Sequence, residues 1–410
     1  MKKTLITQDI TFLLFLIFPV SILLGNFAIN LNILIISLIC IFDLIRKKIR
    51  GIHKDRGILL LVFFFISLLI NLMFSNDISL SYLRVIKVFF IIFFIFSFKH
   101  LLMNFSKKYI EKIYKGWSII FAFIVIDLII EYIRGENIIG FKSIMPGERL
   151  ASFTGTESVI GNYFYGFVLI FLSCVHKNFI KKNYLNVIIA IFLVTISLII
   201  GERANFIRSF LLIALFIFFI NDFDLKSKIF SLALIIILII TFVNFNEKYK
   251  TRYYNQISTI FNINGLSLYL ANSQYGAHYK VAYEIFKDNP FFGIGVKNFR
   301  VESANNKYSN LDHQLKHRRI ATHPHQIHYE FLSETGTFGY LSFVVFIFLS
   351  LYWSIKNYLI NKNIYQLSSI FFVITSLLPF LPSGSFLSTF TSSIFWLNYS
   401  IMIGYNNIKN

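Results

Sequence analysis

Three histidines within six residues are the densest group of chemically active side chains in the sequence. His323, His325 and His328 are followed directly by Glu330 and Glu334. A neutral imidazole can take a proton from a hydroxyl group, which makes histidine a common general base. Two carboxylates one helical turn apart can orient a basic partner or a sugar. This stretch is therefore the first candidate for a catalytic site.

A helix is predicted to begin at Pro324, because proline favours the first position of a helix, and to end near Gly336. In such a helix His325 lies in the first turn, where the helix dipole favours anions and disfavours a charged imidazole. A neutral His325 beside a bound phosphate can then act as a base toward an acceptor hydroxyl. Two other interpretations stay open: the histidines are surface polar residues, or His323, His325 and His328 bind zinc. His-x-His alone is a weak metal signal, and no metal or cofactor is expected.

Several arginines belong to the same predicted surface. Arg203 lies in a very short turn between two apolar runs. It either snorkels to the membrane surface or binds a phosphate group, which arginine does in bidentate fashion. Arg300 follows a proline and glycine turn at 290–295, while Arg149 and Glu157 lie in another polar segment. We expect these groups to line one cavity that attracts an anion such as a lipid diphosphate.

Four ionisable residues lie inside apolar runs: Arg84 and Lys87 in one, Asp127 and Glu131 in the next. Such groups are functional candidates by default, and groups of opposite sign can neutralise each other. A structural ion pair is the preferred interpretation here.

The composition places these residues in a membrane protein. Hydrophobic residues make up 56% of the 410 residues and charged residues only 14%, a balance that a soluble protein of this length could not keep in solution. The formal net charge of +19 does not indicate nucleic-acid binding, because the basic residues fall mainly in short loops between apolar runs.

The predicted fold is an all-α integral membrane protein with about twelve transmembrane helices, each of about 20 apolar residues. The predicted spans lie near 10–27, 29–45, 57–74, 82–98, 117–133, 159–175, 184–200, 205–221, 229–245, 338–355, 365–382 and 385–404. The loops at 46–56, 99–115, 176–183, 223–228 and 356–362 are short and basic, which predicts that they and both chain termini are cytoplasmic.

Three regions follow from this topology. Residues 1–245 hold nine spans, residues 246–337 form one large outer loop, and residues 338–410 hold the last three spans. A helix is predicted within the loop at 274–287, which includes His278. The histidine stretch ends the loop and faces outward.

The sequence resembles the O-antigen ligase and O-antigen polymerase superfamily of bacterial envelope glycosyltransferases. The ligases carry a histidine, then Asn, Ser or Gln, nine residues, Gly, two residues, and Gly, Thr or Tyr, which His325, Gln326, Gly336 and Gly339 satisfy. The segment 289–295 matches the Pro-x-x-Gly-x-Gly turn of the family, with Asn298-Phe299 just after it. Arg203 matches the arginine of the family at the same place. The family often has a second arginine in the helix before that turn; here the helix offers His278 and Lys280 instead, and Arg300 is the candidate substitute.

This resemblance implies a GT-C-like fold in the bacterial inner membrane with the active site facing the periplasm. It implies a metal-independent, inverting transfer of a glycan from undecaprenyl diphosphate to a lipid A-core acceptor, as in a ligase, or to another lipid-linked glycan, as in a polymerase. His325 would be the base and Arg203 would hold the diphosphate, with Arg149, Arg300, His278, His323, Glu157, Glu330 and Glu334 as further substrate contacts. The spacing of the His325 motif favours the ligase. A transporter of lipid-linked glycans and a zinc hydrolase are more distant alternatives.

Overall fold

A computed structural model describes residues 2–47, 49, 51–143, 145–157, 159–178, 183–219, 224–255, 258, 264–379 and 381–406. Within these ranges the chain is helical and contains no β-strand. Parts of the predicted loops and spans, at 179–182, 220–223 and 259–263, lie outside the described residues.

The first ten helices are α1 (Lys2–Leu16), α2 (Phe18–Leu23), α3 (Asn26–Ile45), α4 (Arg56–Met73), α5 (Ile78–Asn104), α6 (Lys107–Arg134), α7 (Ile160–Asn178), α8 (Asn183–Ile199), α9 (Arg203–Phe219) and α10 (Leu225–Phe245). The long loop carries α11 (Glu247–Tyr249), α12 (Gly265–Asn272), α13 (Gln274–Asp288) and α14 (Phe299–Glu302). The last three helices are α15 (Ile327–Asn361), α16 (Ile364–Ser376) and α17 (Thr389–Gly404). Short 3-10 turns occur at Ile52–Lys54, Ser152–Glu157, Asn306–Tyr308 and Lys316–Arg319, and a π-helical turn at Lys250–Asn255.

Six of the described helices are long and apolar enough to cross a membrane, namely α3, α4, α5, α6, α10 and α15. Shorter apolar helices occur at Thr7–Leu16, Tyr184–Ile199 and Ile364–Ser376. The prediction of an all-helical membrane protein is confirmed in this form, whereas the count of twelve spans stays a prediction. The predicted loop helix at 274–287 is confirmed as α13.

Large apolar and aromatic side chains form the interior of the helical bundle. Trp117, Trp396, Phe64, Phe94 and Phe98 are fully buried. Many Leu, Ile and Phe side chains remain exposed on the outer surfaces of the same helices, as a hydrocarbon environment permits. Helix α15, which follows the histidines, packs along α4, and the hydroxyls of Ser67 and Ser342 are hydrogen-bonded at 2.6 Å across this contact.

The predicted ion pairs within the apolar runs are wrong. Asp127 accepts hydrogen bonds from the Ile138 nitrogen at 2.8 Å and from the Ser152 hydroxyl at 2.5 Å. Glu131 accepts from the Ala151 nitrogen at 2.9 Å and the Ser152 nitrogen at 2.6 Å. Among the described residues neither carboxylate pairs with a cation of α5. Both hold the loop after α6 against that helix, because backbone N–H groups buried there need acceptors.

Candidate functional site

The helix predicted to begin at Pro324 begins later. Its first residue is Ile327 and Gln326 is the N-cap, whose Oε1 accepts from the nitrogens of His328 at 2.7 Å and Tyr329 at 3.0 Å. The Nε2 of Gln326 donates to the Pro379 carbonyl at 2.9 Å. The side-chain cap fixes the helix start, since it satisfies backbone donors that have no partner within the helix. The predicted end near Gly336 is confirmed as an interruption, because Gly336 is non-helical, and a second helical segment then runs to Asn361.

His325 therefore lies just before the helix and not in its first turn. Its backbone has φ of 59°, in the left-handed region that residues other than glycine rarely adopt. Its carbonyl accepts a hydrogen bond from the Ser383 nitrogen at 2.8 Å. Strained backbone of this kind persists where the surroundings hold it, and it is concentrated at functional sites.

The His325 ring lies against two other imidazoles. Its centroid is 4.0 Å from that of His323, 5.2 Å from that of His278 and 5.6 Å from that of Tyr275. Burial lowers the pKa of His325 to about 3, and repulsion from His323 and His278 adds to this. The pKa of His323 is lowered to about 4, again mainly by burial. Desolvation and crowding of like groups, rather than a helix dipole, therefore keep these imidazoles neutral.

His328 has a different environment. Its Nε2 donates to the Leu377 carbonyl at 2.9 Å, and its Nδ1 accepts from the Tyr340 hydroxyl at 3.0 Å. Both ring nitrogens are thus engaged by the protein, and they are not available for a zinc ion held with His323 and His325. His328 joins α15 to the end of α16.

Glu330 and Glu334 are both buried and both bind backbone. Glu330 accepts from the Ser385 hydroxyl and, at 2.9 Å, from the Phe386 nitrogen. Glu334 accepts from the Lys297 nitrogen at 2.8 Å and the Phe299 nitrogen at 3.3 Å. These contacts favour a positioning role for the two carboxylates: they tie α15 to the segments at 297–299 and 385–386.

The glycine turn at 290–295 packs against α15 at Gly336, and this contact is called the joint. Helix α15 is interrupted at Gly336, where φ is 64°, and the turn at 290–295 fits against the interruption. The nitrogens of Gly295 and Ile294 donate to the carbonyls of Glu334 (2.8 Å) and Ser333 (3.2 Å). In the opposite direction the Thr337 nitrogen donates to the Pro290 carbonyl at 2.8 Å. This joint fixes the position of the long loop relative to α15 and its histidines.

Arg203 is the first residue of α9 and has no hydrogen-bond or ion-pair partner among the described residues. Two neighbouring arginines are engaged: Arg149 lies 3.6 Å from the Glu202 carboxylate, and Arg252 donates to Glu148 at 2.8 Å and to the Gly201 carbonyl at 2.9 Å.

Tyrosines connect Arg203 with the histidines. Burial raises the pKa of Tyr269, and both Arg203 and Tyr275 act electrostatically on the same hydroxyl. Tyr275 in turn contacts His325. Arg300, which is exposed, acts electrostatically on His323. The structure thus brings His278, His323 and His325 together, with Arg300 acting on His323 and Arg203 connected to them through two tyrosines. Glu157 is exposed, and no contact with this group is seen among the described residues.

Sequence reasoning assigned no role to Arg208. This buried side chain of α9 donates to the carbonyls of Pro382 at 2.9 Å and Leu381 at 3.2 Å, and to Asn205 at 3.2 Å. It therefore supports the segment whose Ser383 nitrogen binds the His325 carbonyl. The sequence signal that could have identified Arg208 is its position as an arginine inside an apolar run.

These features define a class: an all-helical membrane protein in which the segment before α15 and helix α13 bring three imidazoles together. Residues 185–344 match the family model described as O-antigen ligase. The match covers 160 of the 410 residues and supports the resemblance to the O-antigen ligase and O-antigen polymerase superfamily that the motifs predicted. The matched segment contains every predicted site residue except Arg149 and Glu157. No curated protein matches the chain significantly.

Proposed function

We propose that the protein is a glycosyltransferase of the O-antigen ligase type, located in a bacterial inner membrane with its active site in the periplasm. It would move a glycan from undecaprenyl diphosphate to a hydroxyl of a lipid A-core acceptor. The observation that supports this proposal is the half-buried, neutral His325, which Tyr275 and Tyr269 connect to Arg203, within the segment that matches the family.

His325 and Arg203 have separate roles in the proposed reaction. The acceptor oxygen attacks the anomeric carbon of the glycan, and the bond from that carbon to the phosphate oxygen breaks. His325 takes the hydroxyl proton as the new bond forms. The diphosphate leaves with both electrons of the broken bond, and Arg203 stabilises the negative charge that develops on it. Attack from the face opposite the leaving group inverts the anomeric configuration.

A transfer assay tests this proposal. The purified protein in detergent, with EDTA present, is given an undecaprenyl-diphosphate glycan, with and without lipid A-core. Transfer that requires the lipid A-core is the expected result. Lengthening of the glycan from the donor alone would instead identify a polymerase that uses the same residues. No turnover in either reaction, with transport of labelled lipid into proteoliposomes, would replace the proposal with a transporter.

We expect kcat/KM to show no decline from pH 8 to pH 5 that can be assigned to His325. A pKa of about 3 keeps the free enzyme in the neutral, proton-accepting form throughout this range. An ordinary histidine base, with pKa near 6.5, would lose about 97% of its neutral form by pH 5. A pH–rate profile that falls tenfold or more with a midpoint near 6.5 would contradict this expectation. An acid-stable donor analogue serves as the control for substrate loss.

A further inference from the structure

A second group of cations lies near the histidines and has different neighbours from Arg203. Arg84 and Lys87 on α5, and Lys297 and Arg300 after the glycine turn, make up this cationic cluster. Arg84 and Arg300 repel each other. Burial lowers the pKa of Lys297, and repulsion from Arg84 and Arg300 lowers it further. Arg300 also acts on His323, so the cluster extends to the imidazoles beside His325.

The positive charge of the cluster is only partly compensated. Glu330 and Glu334 both act electrostatically on Arg84, and Glu334 also interacts with Arg300. Both carboxylates already accept two hydrogen bonds each from other groups. Arg84 donates to the Leu387 carbonyl at 3.1 Å, which orients its guanidinium without neutralising it. Among the described residues, no salt bridge joins a cation of the cluster to either carboxylate.

The environment of Lys87 is a second observation that points to a bound anion. Its Nζ is buried and has no hydrogen-bond partner among the described residues. It lies one helical turn after Arg84, on the same face of α5. An ammonium group buried without a partner is costly, and the cost is removed when an anion binds beside it.

The apolar neighbours of these cations indicate that the bound anion is the headgroup of a lipid. Leu83 and Ile86, which alternate with Arg84 and Lys87 along α5, are 60% and 47% exposed. These side chains belong to the apolar surface of a helix that is long enough to cross a membrane. An anionic group at Arg84 and Lys87 can thus remain attached to a hydrocarbon chain that lies against α5.

We propose that Arg84, Lys87, Lys297 and Arg300 form a second anion site, separate from Arg203, which binds the phosphate of a second lipid substrate. This inference rests on the proposed function: the donor diphosphate occupies Arg203, and the phosphate-bearing acceptor lipid occupies the cationic cluster. His325 then lies between two lipid substrates, with His323 linking it to the acceptor side.

Binding stoichiometry tests the proposal without any requirement for transfer. Farnesyl diphosphate is the probe, and native mass spectrometry of the full chain in detergent counts the bound molecules. We expect two per wild-type chain, one in Arg203→Gln and one in the double variant Lys87→Met, Arg300→Gln. Loss of charge-assisted hydrogen bonds predicts that affinity at the altered site falls about tenfold or more. Arg318→Gln removes an exposed arginine of the same loop and should keep both sites.

The melting temperature measured without ligand serves as the control for correct folding of each variant. Lys87→Met replaces an unpartnered ammonium with an apolar side chain, so this variant should melt no lower than the wild type. One probe molecule per wild-type chain, or two in the double variant, would overturn the proposal. Equal binding of inorganic pyrophosphate would exclude a lipid ligand, and displacement of the probe by phosphatidylglycerol would indicate a structural lipid instead. Two binding sites without any glycan transfer would leave this site standing and reject the proposed function.

Discussion

His325→Asn is expected to lower kcat of glycan transfer by a factor of about 10² to 10⁴, the usual contribution of a general base. The melting temperature should change little. Asparagine is the suitable replacement because it adopts left-handed backbone more readily than alanine, and the φ of 59° at this position must be kept. The measurement is single-turnover transfer from the lipid-linked donor at saturating acceptor.

The control for this variant is His317→Asn, which changes an exposed histidine of the same loop. It should retain wild-type turnover. A His325→Asn protein with full activity would remove the base from the mechanism. A variant that melts well below the wild type would show that His325 is needed for the fold, and activity would then be compared in His325→Gln.

Gly336→Ala is expected to destabilise the protein by about 3 kcal/mol or more and to abolish transfer. A Cβ at this position would lie 2.6 Å from the Gly293 nitrogen and closer still to the Phe291 carbonyl oxygen. Both neighbours are backbone atoms, so neither can move aside without breaking the joint. The measurement is the melting temperature in detergent, together with the yield of monodisperse protein.

Gly135→Ala separates the cost of left-handed backbone from the cost of the steric clash that Gly336→Ala would create. Gly135 has φ of 79°, but a Cβ there would meet nothing within 4 Å. It therefore measures the conformational cost of left-handed backbone alone, about 1 to 2 kcal/mol. Equal destabilisation by the two substitutions would show that the joint between 290–295 and Gly336 contributes little to stability.

Much of the architecture could be predicted because its signals are local. Apolar runs indicated the membrane helices, and Asn289-Pro290 correctly marked the end of α13. The spacing from His325 to Gly336 and Gly339 indicated the family, which the match over 185–344 supports. These signals rely on hydropathy and on backbone conformation, both of which can be recognised from short stretches of sequence.

The contacts within the site could not be predicted, because they depend on residues far apart in the chain. Pro324 indicated a helix start, but the Gln326 side chain, anchored on Pro379, sets the start at Ile327. Asp127 and Glu131 indicated ion pairs, but the following loop supplies backbone donors that satisfy both. Nothing in the local sequence of Arg208 reveals the carbonyls of 381 and 382 that it binds.

The joint between the glycine turn and α15 also sets an order of assembly during synthesis. Asn71 of α4 donates to the carbonyls of Phe292 and Glu334, which follow it by 221 and 263 residues. The turn at 290–295 leaves the ribosome before residues 333–338, so its contacts with α15 cannot form until α15 has been made and inserted. The histidines therefore reach their final positions only after most of the protein is already in the membrane. An excised loop should accordingly be inert, and a nascent chain should stay inactive until the insertion of its last helices is complete.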